Sequence, residues 1–211
     1  MSKRIVLTLL LAAAMSVGIA SVAFAQVGLP AGFPQVFHAQ LAPLNGSGAS
    51  GSATLVRNGT QLTTTINSSG LTPGQPHAQH IHGMAQAISE CPTLAADDND
   101  DGLINTAEGL PSYGPIAVSL TTRGDTSPDS ALAVDRFPVA DSVGFMDYNR
   151  TIAVPDSVRK NLGKFAIVQH GVDLNHNGRY DFESAGRSEL DPSLPQEATI
   201  PANCGVIDPI R

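Results

Sequence analysis

Beyond residue 34 the chain alternates apolar and polar positions in short runs, a period of two that gives a strand one face in a core and one in solvent. Such runs cover 35–41 and 51–57, and Asn58-Gly59 is a two-residue hairpin turn into a third over 60–67. These three predict an antiparallel meander. A strand over 77–82 follows the turn at Pro73-Gly74, after which the alternation lapses over 83–112 into a segment rich in Asp, Asn and Gly. Strands are expected again over 113–122, over 131–139 and, less regularly, over 144–154. A short helix is expected within 155–162, then a clear strand over 164–170, a second polar loop to residue 199 and a last short strand over 204–207. About eight strands with little helix predict an all-β fold, a Greek-key β-sandwich or flattened eight-stranded barrel with two long metal-binding loops. Long loops in such a domain are commonly functional or ordered by metal.

The N-terminus changes this picture by adding a destination. Residues 1–25 read as a secretory signal, with Lys3 and Arg4, an apolar run from Ile5 to Val22, and Ala23-Phe24-Ala25 as the cleavage site. Residues 26–34 form a Gly/Pro-rich flexible arm, and 35–211 is expected to be one domain, periplasmic or extracellular, with no membrane insertion after cleavage. The leader carries two basic and no acidic residues, so its removal takes the formal charge from −7 to −9, which disfavours nucleic acid and anionic membranes as partners. An oxidising compartment predicts a disulfide between the only two cysteines, Cys91 and Cys204.

Half of the six histidines, His77, His80 and His82, lie within six residues. On a strand His80 and His82 project from one face, where two imidazoles can serve as adjacent ligands for a transition metal and a third ligand from elsewhere would close a trigonal site. The plain alternative is a pair of half-exposed polar strand residues. Residues 97–108 match every position of a twelve-residue calcium loop: side chains of Asp97, Asn99 and Asp101, the Leu103 carbonyl, Asn105 directly or through water, and a bidentate Glu108, with Gly102 at the sharp turn. Calcium would here order a loop without operating a helix-pair switch, because Pro92 and Gly109-Leu110-Pro111 leave flanking helices unsupported. A second run repeats this grammar with Asp173, Asn175, Asn177, the Arg179 carbonyl and Asp181, while its twelfth position is the poorer ligand Ser184, with Glu183 one residue early.

The segments 70–74 and 77–82 resemble the strand of Cu,Zn superoxide dismutases that supplies two copper ligands, and 165–170 resembles a later strand ending in another. The spacing of Cys91 from His82, and the segment 203–207, resemble the family's two disulfide regions. The opening from Phe37 through the His-Ile-His-Gly segment is also similar to the CHRD domain, a related β-sandwich. The resemblance implies copper on His80, His82 and His170, a structural hydrogen-bonding role for His77, and a dismutase-like fold. It also implies no zinc, since no histidine stands between Cys91 and His170 to bridge the metals or complete a zinc site, and Pro201 occupies the place of the substrate-guiding arginine. The expectation is therefore an exported protein with copper on three histidines and calcium in two loops. The alternatives are a copper-only superoxide dismutase and a CHRD-type interaction module without copper.

Overall fold

The computed structural model describes residues 33–84 and 87–210; the expected signal over 1–25 and most of the arm over 26–34 lie outside the described residues. Nine strands form one curled antiparallel sheet: β1 (Gln35–Pro43), β2 (Ser50–Asn58), β3 (Gln61–Ser69), β4 (Gln79–Gly83), β5 (Ile116–Ser119), β6 (Met146–Ala153), β7 (Phe165–His170), β8 (Pro201–Val206) and β9 (Asp208–Pro209). Their order is β5-β4-β7-β8-β1-β2-β3-β6, with β9 against β1. The fold is all-β, as the alternation predicts. The path is open, and its seam is bridged by side chains: Arg150 of β6 donates to the carbonyls of Thr121 and Gly124, and Tyr148 donates to Thr121 O, just beyond β5. Among the described residues no helix is long and apolar enough to cross a membrane.

The two halves of the sheet differ in what covers their outer face. In β3 and β6, Leu62, Ile66, Tyr148 and Ile152 point inward and alternate with solvent-facing residues, as a one-sided strand requires. In β4 and β7 every residue is buried. Ile81, Phe165 and Ile167 enter the main core, while Ala166 and Val168 face the other way and pack with Tyr113 and Cys204 in a second cluster. That second cluster lies beneath the polar segments, and the Cys91–Cys204 disulfide (Cα–Cα 5.7 Å) clamps the first of them onto β8.

Three expectations need correction. The segment 131–139 is not a strand: it follows a 3₁₀ turn at Pro128–Ser130, contains another at Val134–Arg136, and among the described residues pairs only through a single bridge from Val139 to Pro76. Pro128 and Asp129 favour turn entry, and Pro138 has no N–H for a ladder. The strand placed over 113–122 shortens to β5, because Tyr113 closes a helix and Gly114 turns the chain with φ 85°. That helix, α1 (Thr106–Tyr113), is the flanking helix thought unsupported: Asn105 and Glu108 cap it reciprocally, enough to carry Pro111 within it. A helix α2 (Asp156–Asn161) stands where one was expected, and a one-turn helix α3 (Gln196–Thr199) ends the second polar segment.

Candidate metal centre

Three histidines converge on the covered outer face. His80 and His82 alternate with inward-facing Ile81 on β4, and β7 pairs with β4 so that Val168 stands opposite His80. His170 lies two residues beyond Val168 on the same face, the diagonal position from which a long side chain still reaches its neighbour. Ring centroids are 5.5 Å apart for His80–His82, 5.2 Å for His80–His170 and 5.9 Å for His82–His170. One nitrogen from each ring falls within 4.8 Å of the others, and all three residues are buried.

Backbone carbonyls decide which nitrogen that is. His80 Nε2 donates to Ala131 O (3.1 Å), His82 Nδ1 to Gly114 O (2.8 Å) and His170 Nδ1 to Thr199 O (2.7 Å). A carbonyl only accepts, so each bonded nitrogen carries the proton and the other keeps its lone pair. Those others, His80 Nδ1, His82 Nε2 and His170 Nε2, are buried and have no hydrogen-bond partner. Three orphaned lone pairs aimed at one region leave buried acceptors unsatisfied unless a cation takes them, so the donor set fits a metal ion with nitrogen preference. Burial lowers the basicity of all three, reinforced by the neighbouring rings at His80 and His82: His80 falls well below its ordinary 6.5, His82 to about 3 and His170 to about 4. The trio is thus neutral at physiological pH and needs to lose no proton to bind metal.

Aromatic rings close two sides. Phe137 stands edge-on to His80 at 5.3 Å, and Tyr113 to His82 at 4.6 Å. His77 sits behind the centre: Nδ1 pairs with His170 O (2.9 Å) and Nε2 approaches Thr72 O (3.2 Å), fixing the end of β7. Alongside it, Gln169 at the inward face joins Ser68, Gln79 and Asn203 in a buried amide network that holds β3, β4, β7 and β8 in register.

The two acidic loops share one internal geometry. In the first, Asp97 Oδ1 and Oδ2 accept from the N–H groups of Asp101 and Gly102, Asn99 Oδ1 accepts from Asp101, and Asp101 Oδ1 accepts from Leu103. In the second, Asp173 accepts from Asn177 and Gly178, Asn175 from Asn177, and Asn177 from Arg179, the same bonds position for position. Asp100 and His176 both have φ near the left-handed region (57° and 58°), as do Gly102 and Gly178 (83° and 87°). Asp181 accepts from Glu183 N–H, and the Arg179 guanidinium lies 3.5 Å from it.

The second loop has a residue that sequence spacing misses. In the first loop the Glu108 carboxylate accepts from the N–H groups at positions two and nine, Asp98 (3.2 Å) and Asn105 (2.8 Å). In the second, the groups at those positions, Leu174 (2.9 Å) and Asp181 (2.8 Å), donate to Glu197 of α3. Glu197 is fully buried and thirteen residues beyond Ser184, so the carboxylate that repeats Glu108's bonds comes from outside the twelve-residue run.

Both loops lead to one atom of the histidine centre. Thr199 O, two residues after Glu197, accepts from His170 Nδ1 and from Thr106 Oγ1 (2.9 Å), and Thr106 opens the helix that the first loop caps. The loops are also pinned individually. Asn45 brackets Ile104 with two hydrogen bonds, and Tyr180 Oη lies 3.2 Å from the His77 ring. No protein-family model matches the chain, and comparison with curated proteins gives no match.

Proposed function

We propose that this is an exported metal-binding β-domain that holds one copper ion, in its Cu(I) state, on His80, His82 and His170, with calcium ordering 97–108 and 173–184. The observation that carries the reading is the set of three unpartnered, buried imidazole nitrogens. Neutral imidazoles with no carboxylate or thiolate in the cluster suit a soft monovalent ion better than a divalent one, whose second charge would be buried without a counterion. The same ligand set supports kinship with superoxide-dismutase-like and CHRD sandwiches, and the leader supports a periplasmic or extracellular location. For calcium, support comes from the matched geometry of the two loops, with Glu197 in the role of Glu108 and Ser184 left peripheral.

Redox turnover of superoxide has no group in its favour here. The Tyr113 hydroxyl, whose ring stands beside His82, is already donated to Thr106 O, and the chain's negative charge opposes an anionic substrate. Chelator-stripped protein titrated separately with Cu(I), Cu(II) and Zn(II) tests the proposal. One equivalent of Cu(I) is expected to bind more tightly than either divalent ion, and His82→Ala is expected to abolish it. Unchanged Cu(I) binding in His82→Ala refutes the site, and calcium binding without copper binding identifies a calcium-ordered interaction module instead.

A further inference from the structure

The chain leaving His170 and the helix that faces it form one short ladder. Beyond His170 the backbone runs through Gly171 and Val172 to Asp173, the first position of the second acidic loop. Alongside it α3 and the next residue, Ile200, offer three carbonyls. His170 Nδ1 donates to Thr199 O (2.7 Å), the Gly171 N–H to Ile200 O (2.9 Å) and the Val172 N–H to Glu197 O (2.8 Å). The Glu197 side chain then reaches into the loop and takes the N–H groups of Leu174 and Asp181. One end of the ladder therefore carries a histidine of the trio, and the other carries Asp173 and the Glu197 carboxylate. Glu197 is fully buried, and among the described residues no cationic side chain pairs with it. Its two N–H partners satisfy its oxygens without balancing its charge, and Asp181 adds a second negative charge. A buried carboxylate in this state calls for a cation, an observation independent of the spacing within 173–184.

The position of Thr199 O matters to the metal because the proton on His170 follows it. While that carbonyl takes Nδ1–H, Nε2 keeps its lone pair; when the carbonyl moves away, the ring turns or the proton shifts to Nε2, and the centre has two donors in place of three. We propose that the second loop regulates the copper centre. A calcium ion bound by 173–184 and Glu197 draws α3 against the end of β7, holds Thr199 O on His170 and raises the affinity for Cu(I). By linkage, Cu(I) on His170 raises the affinity of the loop for calcium by the same factor. The inference rests on the copper and calcium readings and adds the coupling between them. It gives Glu197 a positioning role at a centre it does not touch.

The test titrates metal-stripped protein with Cu(I) against a chromophoric Cu(I) chelator, with and without calcium, and with calcium in the presence and absence of one equivalent of Cu(I). Losing an outer-shell partner of a ligating histidine changes metal affinity about 10–100-fold, so calcium is expected to tighten Cu(I) by about tenfold or more, and Cu(I) to tighten calcium at the second loop equally. Asp173→Asn, which removes a calcium ligand three residues from His170, is expected to bind Cu(I) with one affinity whether or not calcium is present. Nitrogen NMR of the His170 ring in the copper-free wild type gives a check that needs no variant: calcium is expected to raise the Nδ1–H population. Equal Cu(I) affinity with and without calcium, a calcium effect that survives in Asp173→Asn, or a His170 ring indifferent to calcium overturns this inference and leaves both metal sites standing. Protein that binds Cu(I) but no calcium at 173–184 overturns the inference together with the calcium reading, and protein that binds no Cu(I) overturns it together with the copper reading.

Discussion

Lowering the pH should unfold the metal-free protein in a range where most carboxylates are still ionised, because three buried histidines must take up protons to keep pace with the unfolded chain. In the native state His82 titrates at about 3 and His170 at about 4, against 6.5 when exposed, and burial is the first cause of both shifts. Both native values lie below the unfolded one, so the unfolded chain binds more protons between them. Stability is therefore full above pH 6.5 and is lost as pH falls toward the native values. At about pH 5 the solution is about 1.5 units below the exposed value of each of the two, worth about 2 kcal/mol apiece at 1.36 kcal/mol per unit, or about 4 kcal/mol together. His80 is shifted the same way and adds to the loss. Against a total of roughly 5–15 kcal/mol for a typical domain this is a large fraction. Urea unfolding of the metal-free protein, followed by circular dichroism, measures it. His82→Gln should remove about 2 kcal/mol of the difference between about pH 7.5 and pH 5. A stability that stays flat over that interval in the wild type would refute the neutral, desolvated trio.

Three further outcomes follow from individual contacts. Glu197→Gln should leave calcium binding at 97–108 intact, weaken binding at the second loop, and increase protease cutting near Asn175 and His176; an unchanged two-site calcium titration would remove Glu197 from that loop. Reducing Cys91–Cys204, which spans 113 residues, should cost about 4–5 kcal/mol on the chain-entropy model, and denaturant midpoints with and without reductant provide the check. Gln169→Ala should cost about 3 kcal/mol or more, because Ser68, Gln79 and Asn203 each lose a partner inside the sheet; a loss under about 1 kcal/mol would mean that the amide network contributes little.

Much of the sheet is legible in the sequence because its information is local. The Asn58-Gly59 turn and the alternation around it define β2 and β3, and His80-Ile81-His82 displays the opposing faces of β4. His170 becomes a partner of that pair only through the β4–β7 register, which no local pattern encodes and which the family resemblance anticipated. The carbonyls of Ala131, Gly114 and Thr199, which select the free nitrogens, were invisible because backbone groups carry no sequence signature. The segment 131–139 suggests a strand because apolar residues alternate there too, although the chain makes a 3₁₀ turn there and it is the Ala131 carbonyl and the Phe137 ring that meet His80, with no ladder. Glu197 was missed for a related reason: a twelve-residue motif looks for its last oxygen at a fixed spacing, and the fold supplies it from a helix farther along.

X-ray absorption of the protein loaded with one equivalent of Cu(I) addresses the central claim directly. Three imidazole nitrogens and no sulfur or carboxylate oxygen should surround the copper, and the three-nitrogen signature should fall to two in His170→Ala or disappear with the bound metal. A wild-type spectrum with fewer than three imidazoles, or one that His170→Ala leaves unchanged, would contradict a copper centre built on His80, His82 and His170.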